Sequence, residues 1–365
     1  MSFITSIGTA VPENRFRQET IAGFMTKAMK LKRDEDRKLR TIFKSSGIDW
    51  RHSVLSDYGK TEAYSFYTET FDPFPSTEAR LKVYRNKAAD LSIQAIADCV
   101  KHIPEFDFGS ITHLIVVSCT GMYAPGLDID LVKRLGLREN VDRLCINFMG
   151  CYAAFNAIKA AHAFCSASKD ARVLIVCTEI CSLHFQKEPT EDNLLANALF
   201  ADGAAALLVE RAPRQGRNLE PKAFYNSLAI NGAEHMAWSV GNLGFEMKLS
   251  GYVPDVIKTG IKSLTAQLLL QLRKDLSDIK YFAIHPGGKR ILEVVESQLT
   301  LSAAQNKHAY DVLQNYGNMS STTVLFVLKR IVEQITDADD GEHILSFAFG
   351  PGLTLESMML QVVKV

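Results

Sequence analysis

The chain has 365 residues, with 41 Lys plus Arg balancing 41 Asp plus Glu, so its formal net charge is zero. At 47% hydrophobic and 22% charged residues it has an ordinary globular composition, long enough for about two domains or one large fused unit. The charge balance removes any global attraction to nucleic acid or an anionic membrane, no stretch reads as a spanning helix, and the N-terminus lacks the basic-then-apolar order of a secretion signal.

In chain order, Phe3 to Ile7 followed by Gly8 and Pro12 reads as a strand and a turn. Residues 17–45 read as charged helix, and residues 57–80 as an irregular aromatic excursion with two prolines. Residues 84–102 predict a helix, with Ala88, Leu91, Ile96 and Val100 near helical spacing. Ile111 to Ser118 and Arg143 to Phe148 are strand candidates, and the alanine-rich run 152–164 predicts a helix. Arg172 to Cys177 and Ala204 to Val209 predict buried strands. In the second half, Tyr281 to Ile284 predicts a strand, 289–299 a helix, and Gly317 to Ser321 the opening of a helix that runs to about Ile335. His343 to Phe349 and Leu353 to Val363 close the chain as strands. The alternation implies an α/β fold, with a mainly parallel sheet covered by helices on both faces. The second half repeats the plan of the first, which suggests two similar halves, 1–224 and 225–365, packed as one body without a linker. Two unrelated α/β units would give the same pattern.

The seven cysteines are odd in number and include no CxxC pair or zinc-type Cys/His spacing. They point to a reducing cytoplasm, buried thiols and no metal centre. Cys151 stands apart from the rest. It lies in Gly150-Cys151-Tyr152 between a strand and an alanine-rich helix. A thiol at a helix start meets the positive end of the helix dipole and free N–H groups, which favour the thiolate nucleophile. Placement alone leaves an inert buried thiol as an equal alternative. His285 ends an apolar strand and precedes Pro286-Gly287-Gly288, where α/β proteins present catalytic groups; it could also merely cap a turn. Asn318 lies in Gly317-Asn318-Met319-Ser320-Ser321 before an apolar helix, where it is either an amide donor or an N-cap, a role that Ser320 or Ser321 would fill equally well. Cys, His and Asn together supply a nucleophile, a base and an oxyanion donor, the parts for acyl transfer through a thioester. A cysteine protease uses similar parts, but the papain and caspase signatures are missing.

These residues stand in strings that resemble one family nearly end to end. The strings include Gly150-Cys151, Ala201-Asp202-Gly203, His285-Pro286-Gly287-Gly288, Gly317-Asn318-Met319-Ser320-Ser321 and Gly350-Pro351-Gly352-Leu353-Thr354. The chain is similar to the type III polyketide synthases, the chalcone and stilbene synthase-like enzymes. The resemblance implies a duplicated thiolase fold and a homodimer. It implies that Cys151 carries the starter acyl group and the growing chain, and that His285 and Asn318 hold the thioester oxygen and promote malonyl decarboxylation. It matches Phe200 to a gatekeeper between the coenzyme A tunnel and the cavity, with Phe245 as a second. Cavity positions that are threonine in plant enzymes become Cys119, Cys181 and His184, and Ala124 replaces a larger residue. The loop Ser118 to Asp128 is nearer to bacterial members that accept fatty acyl starters. A small Ala124 and Cys119 would leave room for an acyl tunnel, while the bulk of His184 opposes it; ordinary core packing is the alternative for all four, and an aromatic starter is the rival to a fatty acyl one. Ser320 belongs to the substrate-binding set that the resemblance implies. Arg37, Arg40 and Lys44 share one helix face and could meet the phosphates of coenzyme A, or form a solvated face balanced by Asp34, Glu35 and Asp36.

The expected function is therefore loading of an acyl-CoA, extension with malonyl-CoA and release of a cyclised resorcinol or pyrone, with no cofactor beyond the coenzyme A thioesters. An initiating β-ketoacyl carrier-protein synthase, which condenses once, shares the fold and the Cys-His-Asn set. A non-catalytic relative should have lost one of these three residues.

Overall fold

The computed structural model describes residues 1–365 apart from the side chain of Asn231. The first half runs β1 (Phe3–Ala10), β2 (Asn14–Arg17), α1 (Gln18–Ala28), α2 (Arg33–Ser45), β3 (Trp50–Ser53) and α3 (Thr77–Val100). It continues with β4 (His113–Ser118), α4 (Leu127–Leu135), β5 (Asp142–Asn147), α5 (Ala153–Ala167), β6 (Arg172–Ile180), α6 (Glu191–Leu199) and β7 (Asp202–Glu210). The second half runs β8 (Arg217–Leu228), a hairpin of β9 (Met236–Gly241) and β10 (Gly244–Leu249), α7 (Val253–Leu272), β11 (Tyr281–Ile284) and α8 (Lys289–Leu299). It ends with α9 (Lys307–Tyr316), α10 (Thr323–Gln334), β12 (His343–Gly350) and β13 (Thr354–Lys364).

Among the described residues, nine strands form one sheet in the order β11-β12-β13-β8-β1-β7-β6-β4-β5. The sheet is mixed rather than mainly parallel. β4–β5, β4–β6 and β11–β12 are parallel, whereas the other five pairings are antiparallel. The reason is local. Ile180 pairs with Asp202, so the chain re-enters β7 at the end where it left β6, and Gly350 pairs with Thr354 across a tight turn. Helix α6 therefore sits at the end of the sheet instead of crossing back over its face.

The pairing pattern also shows the internal repeat. β4–β6 is parallel, and β6–β7 and β7–β1 are antiparallel. In the other half β11–β12 is parallel, and β12–β13 and β13–β8 are antiparallel. The halves join at β1–β8. A division at 224/225 falls inside β8, so the second repeat starts at Arg217.

Alternating residues of the central strands feed two cores. Ile115, Val117, Val173, Ile175, Ala205 and Leu207 face the core built with α5, α7, α8 and α10. Leu114, Val116, Leu174, Val176, Ala204 and Ala206 face the core built with α1, α2, α3 and α4. Burial on both faces explains why these strands read as continuous apolar runs. Three expectations change. The 17–45 helix is two helices, broken after Met29 where Lys30 takes a left-handed φ of 53°. Helix α3 begins at Thr77, capped by the Ser76 side chain, so part of the irregular excursion is helical. Helices α4, α6, α7 and α9, strand β8 and the β9–β10 hairpin occupy segments for which the sequence predicts no element.

Candidate active site

The chain leaves β5 through Phe148 and Gly150, both at positive φ, and residues 150–152 make one tight turn into α5. A Cβ at position 150 would lie 2.1 Å from Cδ of Pro351, so only glycine lets the Gly350-Pro351 turn of the other half approach this closely. Cys151 follows and is 6% exposed. His285 follows β11, its N–H donating to the Phe347 carbonyl at 2.8 Å. The His285 ring is 1% exposed, and neither of its nitrogens has a hydrogen-bond partner among the described residues. Asn318 precedes α10. Its Oδ1 accepts from the Ser320 N–H at 2.8 Å, and its Nδ2 donates to the Gly287 carbonyl at 3.2 Å. The Cys151 thiol donates to Asn318 Oδ1 at 3.9 Å. All three residues line one cavity of about 300 Å³, otherwise walled mainly by apolar side chains such as Leu199, Phe200, Met236, Met247 and Leu249.

Burial dominates the electrostatics. It pushes the Cys151 thiol up to about 12, against smaller opposing effects of hydrogen bonds from Ser320 and Asn318. The start of α5 therefore does not by itself make a thiolate. Burial likewise pushes His285 down to about 3, and His184 equally far. Behind Cys151 lies Glu179, a fully buried carboxylate on β6. It accepts from Cys119 N at 2.9 Å, Thr120 Oγ1 at 2.8 Å and Ser321 Oγ at 2.6 Å, tying a first-half loop to the Asn318 loop. Burial raises its pKa, and the hydrogen bonds work against that rise. Its trace in the sequence is an acidic residue ending the apolar run Arg172 to Ile180.

The two neutral buried imidazoles predict a pH effect. An unfolded histidine takes a proton below its ordinary value of 6.5, whereas these stay neutral to about 3. The unfolded state thus binds more protons in that window. Stability should be fully present above pH 6.5 and fall on acidification, by at most about 1.4 kcal/mol per pH unit for each histidine. Urea unfolding at pH 7 and pH 5 measures the drop, and His184→Gln should shrink it. An unchanged drop in that variant would assign the effect to other groups.

The remaining expected residues scatter. Phe200 lines both the catalytic cavity and a second, smaller one of about 40 Å³. Cys181, His184 and Phe245 line only the smaller one. Phe245 stacks on His184 with ring centroids 4.3 Å apart. His184 Nδ1 accepts from the Phe245 N–H at 2.9 Å, and its Nε2 lies 2.7 Å from the Thr120 carbonyl. This fixes the ring as a neutral cross-link. Met247, not Phe245, shares with Phe200 the position between the two cavities. Positions 245, 247 and 249 of β10 share a face, so an alternating apolar pattern signals the strand without selecting which of them reaches the catalytic cavity. Cys119 lines neither cavity; its Sγ accepts the Gly150 N–H at 2.9 Å. Ala124 is exposed in a surface cleft with Tyr123, Asp128, Arg143 and Cys145. Ser320 is buried against Cys151 and Asn318 but lines neither cavity.

The basic face of α2 points elsewhere. Arg40 pairs with Asp36 at 2.9 Å, and Arg40 and Lys44 line a cleft with Arg17 and Trp50. Arg37 lines neither cavity. Ile42, Ser45 and Ser46, on the opposite side of the helix, reach the catalytic cavity. Its basic lining residues are Lys289 and Arg290, in the first turn of α8. No helix is long and apolar enough to cross a membrane among the described residues.

Comparison with known proteins agrees with this geometry. The family model for the N-terminal domain of chalcone and stilbene synthases matches residues 1–213, and that for the C-terminal domain matches residues 224–364. The chain is 33% identical over 99% of its length to "Probable polyketide synthase 1" of Dictyostelium discoideum, of which it spans 11%. It is 32% identical over 80% of its length to "Alpha-pyrone synthesis polyketide synthase-like Pks18" of Mycobacterium tuberculosis, covering 77% of that protein. Among solved structures, the C-terminal type III polyketide synthase domain of Steely1 from Dictyostelium superposes with a TM-score of 0.90 at 32% identity, covering 99% of each chain. A nucleophile, a histidine and an asparagine gathered in one largely apolar cavity, two matching family domains and these relatives lead to one conclusion: the chain belongs to the chalcone and stilbene synthase family, and it is a type III polyketide synthase, a condensing acyltransferase.

Proposed function

We propose that the enzyme loads a fatty acyl-CoA on Cys151, extends it with malonyl-CoA and releases a cyclised pyrone or resorcinol. The observation that carries this reading is the cavity shared by Cys151, His285 and Asn318, with its mainly apolar walls. The half that ends with β7 supplies the nucleophile, and the half that begins with β8 supplies His285 and Asn318. Because burial opposes an isolated charge on either Cys151 or His285, the nucleophile forms by proton transfer from Sγ to the imidazole, which brings two opposite charges together in one dry site. The thiolate attacks the starter thioester, and coenzyme A leaves with a proton. Malonyl-CoA then loses carbon dioxide, and the electron pair of the broken bond forms an enolate. One Asn318 amide hydrogen is held by Gly287. The second, with the N–H of the imidazole, which is neutral again once coenzyme A has left with the proton, is available to the enolate oxygen. The carbon of the enolate attacks the acyl group and releases Cys151. The substrates are themselves thioesters, so this sequence needs no resident cofactor or metal.

We place the coenzyme A phosphates against Lys289 and Arg290 rather than Arg37, Arg40 and Lys44, because only the former line this cavity. A homodimer in the cytoplasm is the expected state. In support, β5 is an outer-edge strand with Leu144 37% exposed. Peptide mapping after incubation with a fatty acyl-CoA tests the loading step: the adduct is expected on Cys151, and an adduct on any other cysteine would contradict it. Met247→Trp, which narrows the passage beside Phe200, should lower turnover of a long-chain starter by about tenfold relative to acetyl-CoA. Equal turnover ratios in steady-state assays would remove Met247 from the gate.

A further inference from the structure

We infer that Arg51 is a positioning residue for condensation, holding the Phe200 gate and, through it, the catalytic loop of Asn318. Arg51 lies on β3, lines the smaller cavity and not the catalytic one, and is 4% exposed. Its Nη1 donates to two carbonyls, Asn197 at 2.7 Å and Phe200 at 2.8 Å. Asn197 lies in the last turn of α6, where helix carbonyls lack partners of their own, and Phe200 follows the helix in extended conformation. A guanidinium nitrogen can serve two acceptors in this fixed geometry.

Phe200 is not merely near Asn318. The two residues form an isolated parallel bridge: Asn318 N–H donates to the Leu199 carbonyl at 2.9 Å, and Ala201 N–H donates to the Asn318 carbonyl at 2.8 Å. Displacing the Phe200 backbone therefore displaces Asn318. The stem of Arg51 also packs against this loop. A Cβ at Gly317 would lie 3.0 Å from Arg51 Cγ and 2.9 Å from the Leu199 carbonyl, and Gly317 is held at a φ of 71°. On the far side of Phe200, the Asp202 carboxylate accepts from Val54 N at 2.8 Å and Ser182 N at 2.7 Å. Segment 197–202 is thus pinned from β3, from the Asn318 loop and from the segment after β6. The Arg51 clamp is the contact that acts on both the gate residue and the helix end beside it. The guanidinium faces the Phe43 ring at 5.4 Å, and its Nε and Nη2 have no partner among the described residues. The retained hydrogen bonds are therefore the two that hold α6 and Phe200.

This inference rests on the polyketide-synthase reading, which wild-type turnover in the same assay tests separately. Arg51→Met and Arg51→Lys would be compared with wild type, alone and in a Phe200→Ala background. In the single variants, starter loading on Cys151 should stay within about twofold, whereas kcat for malonyl extension should fall by about tenfold or more at nearly constant KM. Carbon dioxide released per product formed should rise, because the enolate forms in a misaligned site. In the Phe200→Ala background the Arg51 variants should still lower extension by about the same fold, because the alanine keeps the backbone carbonyl that Arg51 holds and the bridge to Asn318. A purely structural role would lower loading and extension alike. That result, unchanged kcat in the single variants, or disappearance of the Arg51 effect in the Phe200→Ala background would each overturn the inference. Arg51→Lys keeps the buried charge and gives the same readout if Arg51→Met does not fold.

Discussion

Cys151→Ala is expected to abolish product formation, lowering turnover by at least about 10³-fold, and to leave no acyl adduct on the intact protein. The sulfur occupies the first turn before α5 and is the thiol that shares a cavity with His285 and Asn318. Loss of one buried atom group at this turn should leave the fold intact, so thermal unfolding is expected to change by about 1 kcal/mol or less. Cys165→Ala is the control. Cys165 is fully buried within α5, facing the carbonyls of Ala171 and Val209, and lines neither cavity. Its removal should leave loading and turnover unchanged. Intact-protein mass spectrometry with a fatty acyl-CoA, followed by a product assay, distinguishes the two variants. Normal turnover by Cys151→Ala would end the thioester mechanism.

Asn318→Asp should lower malonyl-CoA decarboxylation and extension by about 10²–10³-fold, the range for loss of one oxyanion donor. The substitution keeps an oxygen to accept from Ser320 N–H, so the loop retains that contact. It replaces the amide nitrogen with a carboxylate oxygen, which repels the developing enolate charge. Starter loading should persist, because Cys151 and His285 remain. The variant is therefore expected to accumulate as the acylated enzyme. His285→Gln should weaken both stages, since the imidazole takes the thiol proton in the first and faces the enolate in the second. Release of labelled carbon dioxide, measured beside adduct mass, separates these patterns. Full decarboxylation by Asn318→Asp would show that the amide is not the donor.

How far the sequence was readable depended on how local each signal was. Cys151, His285 and Asn318 each sit at the end of a strand or the start of a helix, beside glycines that the backbone requires, so their strings identify them. Their meeting in one cavity is a tertiary fact supported by the family resemblance rather than by spacing. The mixed sheet was not legible, because direction depends on where α6 lies and on the turn at Gly350, not on the apolar runs themselves. Ala124 and Cys119 flank a short loop, and composition alone does not tell which residue of a loop faces a cavity. Helix α2 carries charge over much of its surface, so Arg40 and Lys44 looked suitable for phosphates although the face toward the cavity is that of Ile42 and Ser45. Phe245 is the most conspicuous residue of its strand face, whereas Met247 and Leu249 on the same face are the ones that line the catalytic cavity. Glu179 and Arg51 act through hydrogen bonds to residues about 60 to 150 positions away, which no local pattern encodes.

The most direct test of the central claim is a product assay by mass spectrometry. Purified enzyme would receive malonyl-CoA with acetyl, short, medium and long fatty acyl, benzoyl or coumaroyl-CoA. Fatty starters carrying several added ketide units, released as a pyrone or resorcinol, are the predicted result. Products of a single condensation, formed only when malonyl-carrier protein replaces malonyl-CoA, would contradict it and describe an initiating synthase instead.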